Sequence, residues 1–214
     1  MGIIKNMFPS LPKSKKGNLF PNMPKRSKKQ SSFPSFNRMK KMGKTFKFLD
    51  GWNKNNIYEI SINSNKISEK LTHFPITVVL NSINASDLFS HLGATNWKKI
   101  AITDENANEL YVEKEQYNTT TLKACFHCSK SDFVISNSKD TKLYLYYDNT
   151  HNDNDSYVGE ATTTPAQKVW TSFEKIVYNF AQDPSGGTNC IKDSTINHNH
   201  ASTSGSMTSS DLVA

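Results

Sequence analysis

The first acidic residue of the chain is Asp50, and residues 1–49 hold thirteen Lys and Arg with no Asp or Glu. A segment at +13 repels itself, and collapse would have to work against that repulsion with few apolar groups to drive it. The remaining 165 residues carry the other thirteen Lys and Arg against all nineteen acids, a net −6, which recovers the chain's formal +7. The molecule is therefore two electrical halves. A pI near 9.2 describes neither of them.

The basic half contains a repeat. Phe8-Pro9-Ser10-Leu11-Pro12 is followed by Lys13, Lys15 and Lys16; Phe20-Pro21-Asn22-Met23-Pro24 by Lys25, Arg26, Lys28 and Lys29; Phe33-Pro34-Ser35-Phe36 by Arg38, Lys40 and Lys41. The aromatic residues recur at spacings of 12 and 13. Proline at each hook forbids a regular helix or a central strand, so residues 1–47 are expected to form an extended basic arm. In this reading Phe8, Pro9, Phe20, Pro21, Phe33 and Pro34 are anchors. The cations are contacts for nucleic acid or an acidic surface, where released counterions give salt-sensitive binding without sequence readout. Proline also restricts each hook before docking, which lowers the entropy lost on binding.

Beyond the arm the composition changes to short β-type runs separated by Asn, Ser and Asp clusters. Strands are predicted at 57–62, 76–80, 99–103, 110–114, 122–128 and 142–147, spaced as in an all-β antiparallel sandwich of jelly-roll type. In 76–80 the apolar residues fall on both faces, which predicts burial on both sides. In 142–147 the alternation sends Leu143, Leu145 and Tyr147 to the core and Lys142, Tyr144 and Tyr146 to the opposite side. Residues 48–150 are thus the sandwich, 151–165 a polar linker, and 166–214 a low-complexity tail with little to build a core. The Asp/Asn run from Asp148 to Asp155 lacks the order of an EF-hand and reads as a solvated turn.

Enzymatic chemistry finds little support in the sequence. No phosphate loop, dinucleotide fingerprint, Gly-x-Ser-x-Gly or zinc-protease motif occurs. Three cysteines, Cys125, Cys128 and Cys190, read as reduced thiols. Cys125-Phe126-His127-Cys128 has a metal-type spacing, but on a strand Cys125 and His127 share one face while Cys128 points to the other, so no metal or cofactor is expected. Glu113 and Glu115 would share a strand face and are expected to be solvated. His198-Asn199-His200 reads as a polar loop. No run is long and apolar enough for a membrane span, and Lys5 and Pro9 interrupt any signal-peptide core, which fits synthesis in a cytoplasm.

Gly51-Trp52, Tyr58-Glu59-Ile60-Ser61-Ile62, Leu71-Thr72-His73-Phe74-Pro75 running into 76–81, and Lys142-Leu143-Tyr144-Leu145-Tyr146-Tyr147-Asp148-Asn149 carry a resemblance. Over about residues 50–150 the chain resembles a family of β-sandwich modules of unknown function, found in bacterial surface proteins and phage structural proteins. The stretches at 100–104 and 109–113 look like that family's central hairpin, with Glu105 to Asn108 in its turn. The family module often precedes a concanavalin A or laminin G-like lectin domain, and Val169-Trp170, residues 181–186 and 192–195 look like that domain's opening. About 45 residues remain where such a domain needs roughly 150–200, and Ala201 stands where the family places Gly, so lectin activity is not carried over.

Together these features predict a non-enzymatic virion structural protein: a minor capsid, cement or decoration protein held by its arm to capsid subunits or packaged nucleic acid. Identical grooves on a symmetric assembly would let three linked hooks bind with avidity. The alternatives are a carbohydrate-binding or adhesion module, suggested by the family's neighbours and by Tyr144 and Tyr146 as exposed aromatics, and a nonspecific nucleic-acid-binding protein of the cytoplasm.

Overall fold

The computed structural model describes residues 47–211 together with the backbone of residues 35–38, all within one unit, Ser32–Ala214. The fold is all-β, built on two four-stranded sheets. The first has the order β1 (Ser35–Arg38), β2 (Ile57–Ile62), β9 (Thr141–Tyr147) and β5 (Ile100–Thr103), all antiparallel. The second has the order β10 (Val158–Glu160), β6 (Tyr111–Asn118), β7 (Lys123–Ser129) and β4 (Ile76–Leu80), antiparallel except for the parallel pair of β10 with β6. A two-stranded ribbon of β3 (Leu71–Thr72) and β8 (Val134–Ile135) lies beside them.

Period-two alternation sends one set of side chains from each sheet into a shared interior. Tyr58, Ile60, Ile100, Ile102, Leu143, Leu145 and Tyr147 of the first sheet form one cluster with Ile76, Val78, Leu80, Val112, Phe126 and Cys128 of the second. Helix α1 (Ser86–Leu92) adds Leu88, Phe89 and Leu92 to the same cluster, the i, i+1, i+4 positions of one helical face. The helix stops at Gly93, whose φ of 65° suits a residue without Cβ.

Several expectations are corrected. On β4 the outer residues are open: Val79 is 46% exposed, so this strand at the edge of its sheet is buried on one face only. The stretches at 100–104 and 109–113 do not form a hairpin within a sheet. After one isolated bridge, Thr103 to Glu109, and the Leu110 to Ile102 backbone bond, β5 and β6 part into different sheets. The turn between them is fixed by Asp104, which accepts the N–H of Asn106 and of Asn108 at 2.8 Å each, while Ala107 takes a φ of 62°. The segment read as a polar linker carries β10, and the polar run from Asp148 to Asp155 has local tasks. Asp148 accepts the Thr150 N–H and hydroxyl, and the Asn154 amide donates to the Ile100 carbonyl at 2.9 Å.

The tail reverses the usual hydrophobic sorting. Phe173 and Phe180 are 87% and 64% exposed, whereas Asp193, Ser194 and Thr195 are buried. Helix α2 (Thr164–Gln167) and the bridges Tyr178 to Asp193 and Ile191 to Ala201 organise this segment. Beside the buried Ala166, Val169 and Ile191, its interior is hydrogen-bonded and polar.

Candidate functional site

Most of the predicted arm contacts lie outside the described residues: Phe8, Pro9, Phe20, Pro21, Phe33, Pro34, Lys13, Lys15, Lys16, Lys25, Arg26, Lys28, Lys29, Lys40 and Lys41. Arg38 falls in β1, where its backbone stands opposite Tyr58 of β2 at the edge of the first sheet. Four residues of the region read as an arm therefore add a strand to the sandwich.

The densest chemistry is on the outer face of the second sheet. On β7, Ala124, Phe126 and Cys128 turn inward, while Cys125 and His127 turn outward, as the alternation predicts. What alternation does not reveal is the bulge in β6. Lys114 pairs with Phe126 and Gln116 with Cys125, so Glu115 is an extra residue with no partner of its own. Its carboxylate swings over β7 and one oxygen, Oε2, accepts both the Cys125 thiol at 3.1 Å and the His127 Nε2–H at 2.8 Å. The other ring nitrogen of His127 meets the Thr77 hydroxyl of β4 at 3.1 Å, and the Trp170 ring lies 5.3 Å from the imidazole. Burial, then the hydrogen bond and charge of Glu115, push the Cys125 thiol up to about 12. That is the opposite of what a nucleophilic cysteine needs.

Beside this triad sits Glu113, expected to be solvated and in fact fully buried. Its carboxylate accepts the indole N–H of Trp170, the amide of Asn179 at 2.8 Å and the hydroxyl of Ser194. All three donors come from residues 166–214. Burial raises the Glu113 carboxyl to about 7 in spite of these bonds. The loop that supplies Ser194 is shaped by Asp193. Burial pushes that carboxyl up, but the N–H groups of Val177, Thr195 and Asn199 and the Thr195 hydroxyl outweigh it and hold the group below its ordinary range.

The outer face of the first sheet is different in kind. Tyr144 and Tyr146, expected to be exposed, are buried with Trp52, Ile57 and Ala101, and Phe48 and Leu49 pack against them. The Tyr146 hydroxyl accepts the Leu49 N–H at 3.2 Å, and Trp52 stacks on His151 with ring centroids 4.0 Å apart. These tyrosines present no platform for a sugar ring. The aromatic motive for a glycan-binding surface is thereby lost.

Sequence reasoning placed Cys125 and His127 on one face but missed Glu115 as their partner and Glu113 as a buried group. The available signal was the near-continuous polar run Glu113-Lys114-Glu115-Gln116, which no simple alternation can place on a half-buried strand. No family model, curated protein or solved structure matches the chain.

Proposed function

We propose that the protein is a non-enzymatic structural module in which the basic arm anchors a β-sandwich to a larger assembly. A virion is the setting that best suits it, with capsid subunits or packaged nucleic acid as the anchoring surface. The observation that carries this reading is the segregation of thirteen cations from every acid, joined to three evenly spaced Phe-Pro hooks. Such an arm can bind a polyanion or a lattice of repeated pockets, and the net-negative body cannot do so by the same means. The raised Cys125 and the fully engaged Glu113 support a non-enzymatic body, since neither offers an activated nucleophile or a free base. Among the described residues, no helix is long and apolar enough to cross a membrane.

The test compares the full chain with one lacking residues 1–31, a cut that leaves Ser32–Ala214 intact and removes Phe8, Phe20 and eight of the thirteen cations. The shortened chain is expected to keep its β-type circular dichroism and to lose recovery with nucleic-acid-containing particles on sedimentation. Equal recovery of both chains would remove the proposal.

A further inference from the structure

Glu115 Oε2, Cys125 Sγ and His127 Nε2 all lie within 4.8 Å of one another, carried by two adjacent strands. From this geometry we infer that they form a binding site for a borderline-soft divalent transition metal of the zinc class.

The donor set is one thiolate, one imidazole and one carboxylate; zinc takes all three, whereas calcium and magnesium take the carboxylate oxygen but not the thiolate or the imidazole. In the metal-free form two protons, one on Sγ and one on Nε2, point at the same carboxylate oxygen. A single divalent cation can take the place of both. Its charge is matched by one thiolate and one carboxylate, so the filled site is neutral, as a half-buried position requires. Binding forms the metal–sulfur bond and releases the thiol proton to solvent. The imidazole proton passes to Nδ1, where the Thr77 hydroxyl stands ready to accept it at 3.1 Å. Thr77 is thus a positioning residue, fixing the tautomer that leaves Nε2 free for the metal.

The required movement is small. Tetrahedral coordination with bonds of about 2.0–2.3 Å separates its donors by roughly 3.4–3.6 Å. The observed separations of 2.8 Å (Glu115 to His127) and 3.1 Å (Glu115 to Cys125) open by about half an ångström, and the Cys125 to His127 pair, which lies within 4.8 Å, closes by at most about 1.3 Å. The carboxylate sits on a bulge, where the strand already departs from its ladder. Glu115 is half-buried and also lines a surface recess of about 290 Å³, so its side chain is not sealed in the core.

The full chain, reduced and freed of metal, is titrated with Co²⁺ and then Zn²⁺. One equivalent of Co²⁺ is expected to develop a thiolate-to-cobalt charge-transfer band, which Zn²⁺ displaces. Cys125→Ser abolishes the band, Glu115→Gln and His127→Gln weaken binding at least tenfold, and Cys190→Ser leaves it unchanged. Thr77→Val weakens binding about 10–100-fold, as loss of an outer partner usually does. No band in the full chain overturns the inference, as does a band that survives Cys125→Ser and vanishes in Cys190→Ser. X-ray absorption on the zinc-loaded full chain gives an answer that depends on no variant's folding: one sulfur scatterer is expected, and none contradicts the site.

Discussion

The two outer faces of the sandwich are each covered in part, but by opposite chemistry. On the first sheet the cover is aromatic and local: Trp52, Phe48 and Leu49 lie close in sequence to β2 and close over Tyr144, Tyr146 and Ala101. On the second sheet it is polar and remote, since Glu113 of β6 is held by Trp170, Asn179 and Ser194, 57, 66 and 81 residues away. An apolar cover tolerates imprecise geometry and gains with area. A polar cover works only when every group finds its partner, because an unmet buried donor or carboxylate is costly. The first face should therefore respond to lost volume, and the second to lost partners and to pH.

The largest effect is expected from Tyr146→Ala. Removing a fully buried aromatic side chain typically destabilises by about 3–5 kcal/mol, measured by chemical denaturation, whereas Tyr146→Phe should cost only about 1 kcal/mol for the hydrogen bond from Leu49. Similar losses in both variants would contradict an apolar cover. Next comes Glu113→Ala, which strands three donors and should cost about 2–4 kcal/mol. Hydrogen exchange should then quicken through residues 166–200 while the two sheets stay protected. Uniform loss of protection would mean that this segment is not a separate cover.

The pH response is of similar or smaller size and has a definite sign. Folded Glu113 keeps its proton to about 7, above the ordinary carboxyl value of 4.5, so between these values the folded state binds a proton that the unfolded state has released. Its contribution is fully present below about pH 4.5 and falls as pH rises through 7, by about 3 kcal/mol in all. Denaturation midpoints across this window should flatten in Glu113→Gln. An unchanged slope would assign the titration elsewhere. The smallest effect belongs to Val79→Lys on the open side of β4, expected within about 0.5 kcal/mol of the parent; a large loss would restore burial on both faces of that strand.

The same contrast explains how much of the molecule could be read in advance. The six predicted strands correspond to β2, β4, β5, β6, β7 and β9, because branched and aromatic runs between Asn-rich turns state their period plainly. The inward set Leu143, Leu145 and Tyr147 is equally legible. Tyr144 and Tyr146 were not, since period two tells which residues share a face but not what covers it. The tail defeats reading by hydropathy altogether: Asp193 to Thr195 are buried through hydrogen bonds whose partners no local pattern announces. Two of the three triad residues, Cys125 and His127, followed from strand alternation. The third member, Glu115, lies on the face it was expected to share with Glu113, but its contact with Cys125 and His127 depends on strand pairing and a one-residue bulge that no local pattern announces.

Neither face carries the cationic surplus, which lies wholly in residues 1–49, and so the central claim is that this segment, not the sandwich, makes the contact with the larger assembly. The direct measurement is the affinity of the full chain for mixed-sequence duplex nucleic acid across a salt series, beside the chain lacking residues 1–31. Engagement of six or more phosphates predicts that log K falls against log salt with a slope of about −5 or steeper. The slope should be the same for unrelated sequences and much shallower in the shortened chain. Affinity indifferent to salt, or equal slopes for the two chains, would contradict the account.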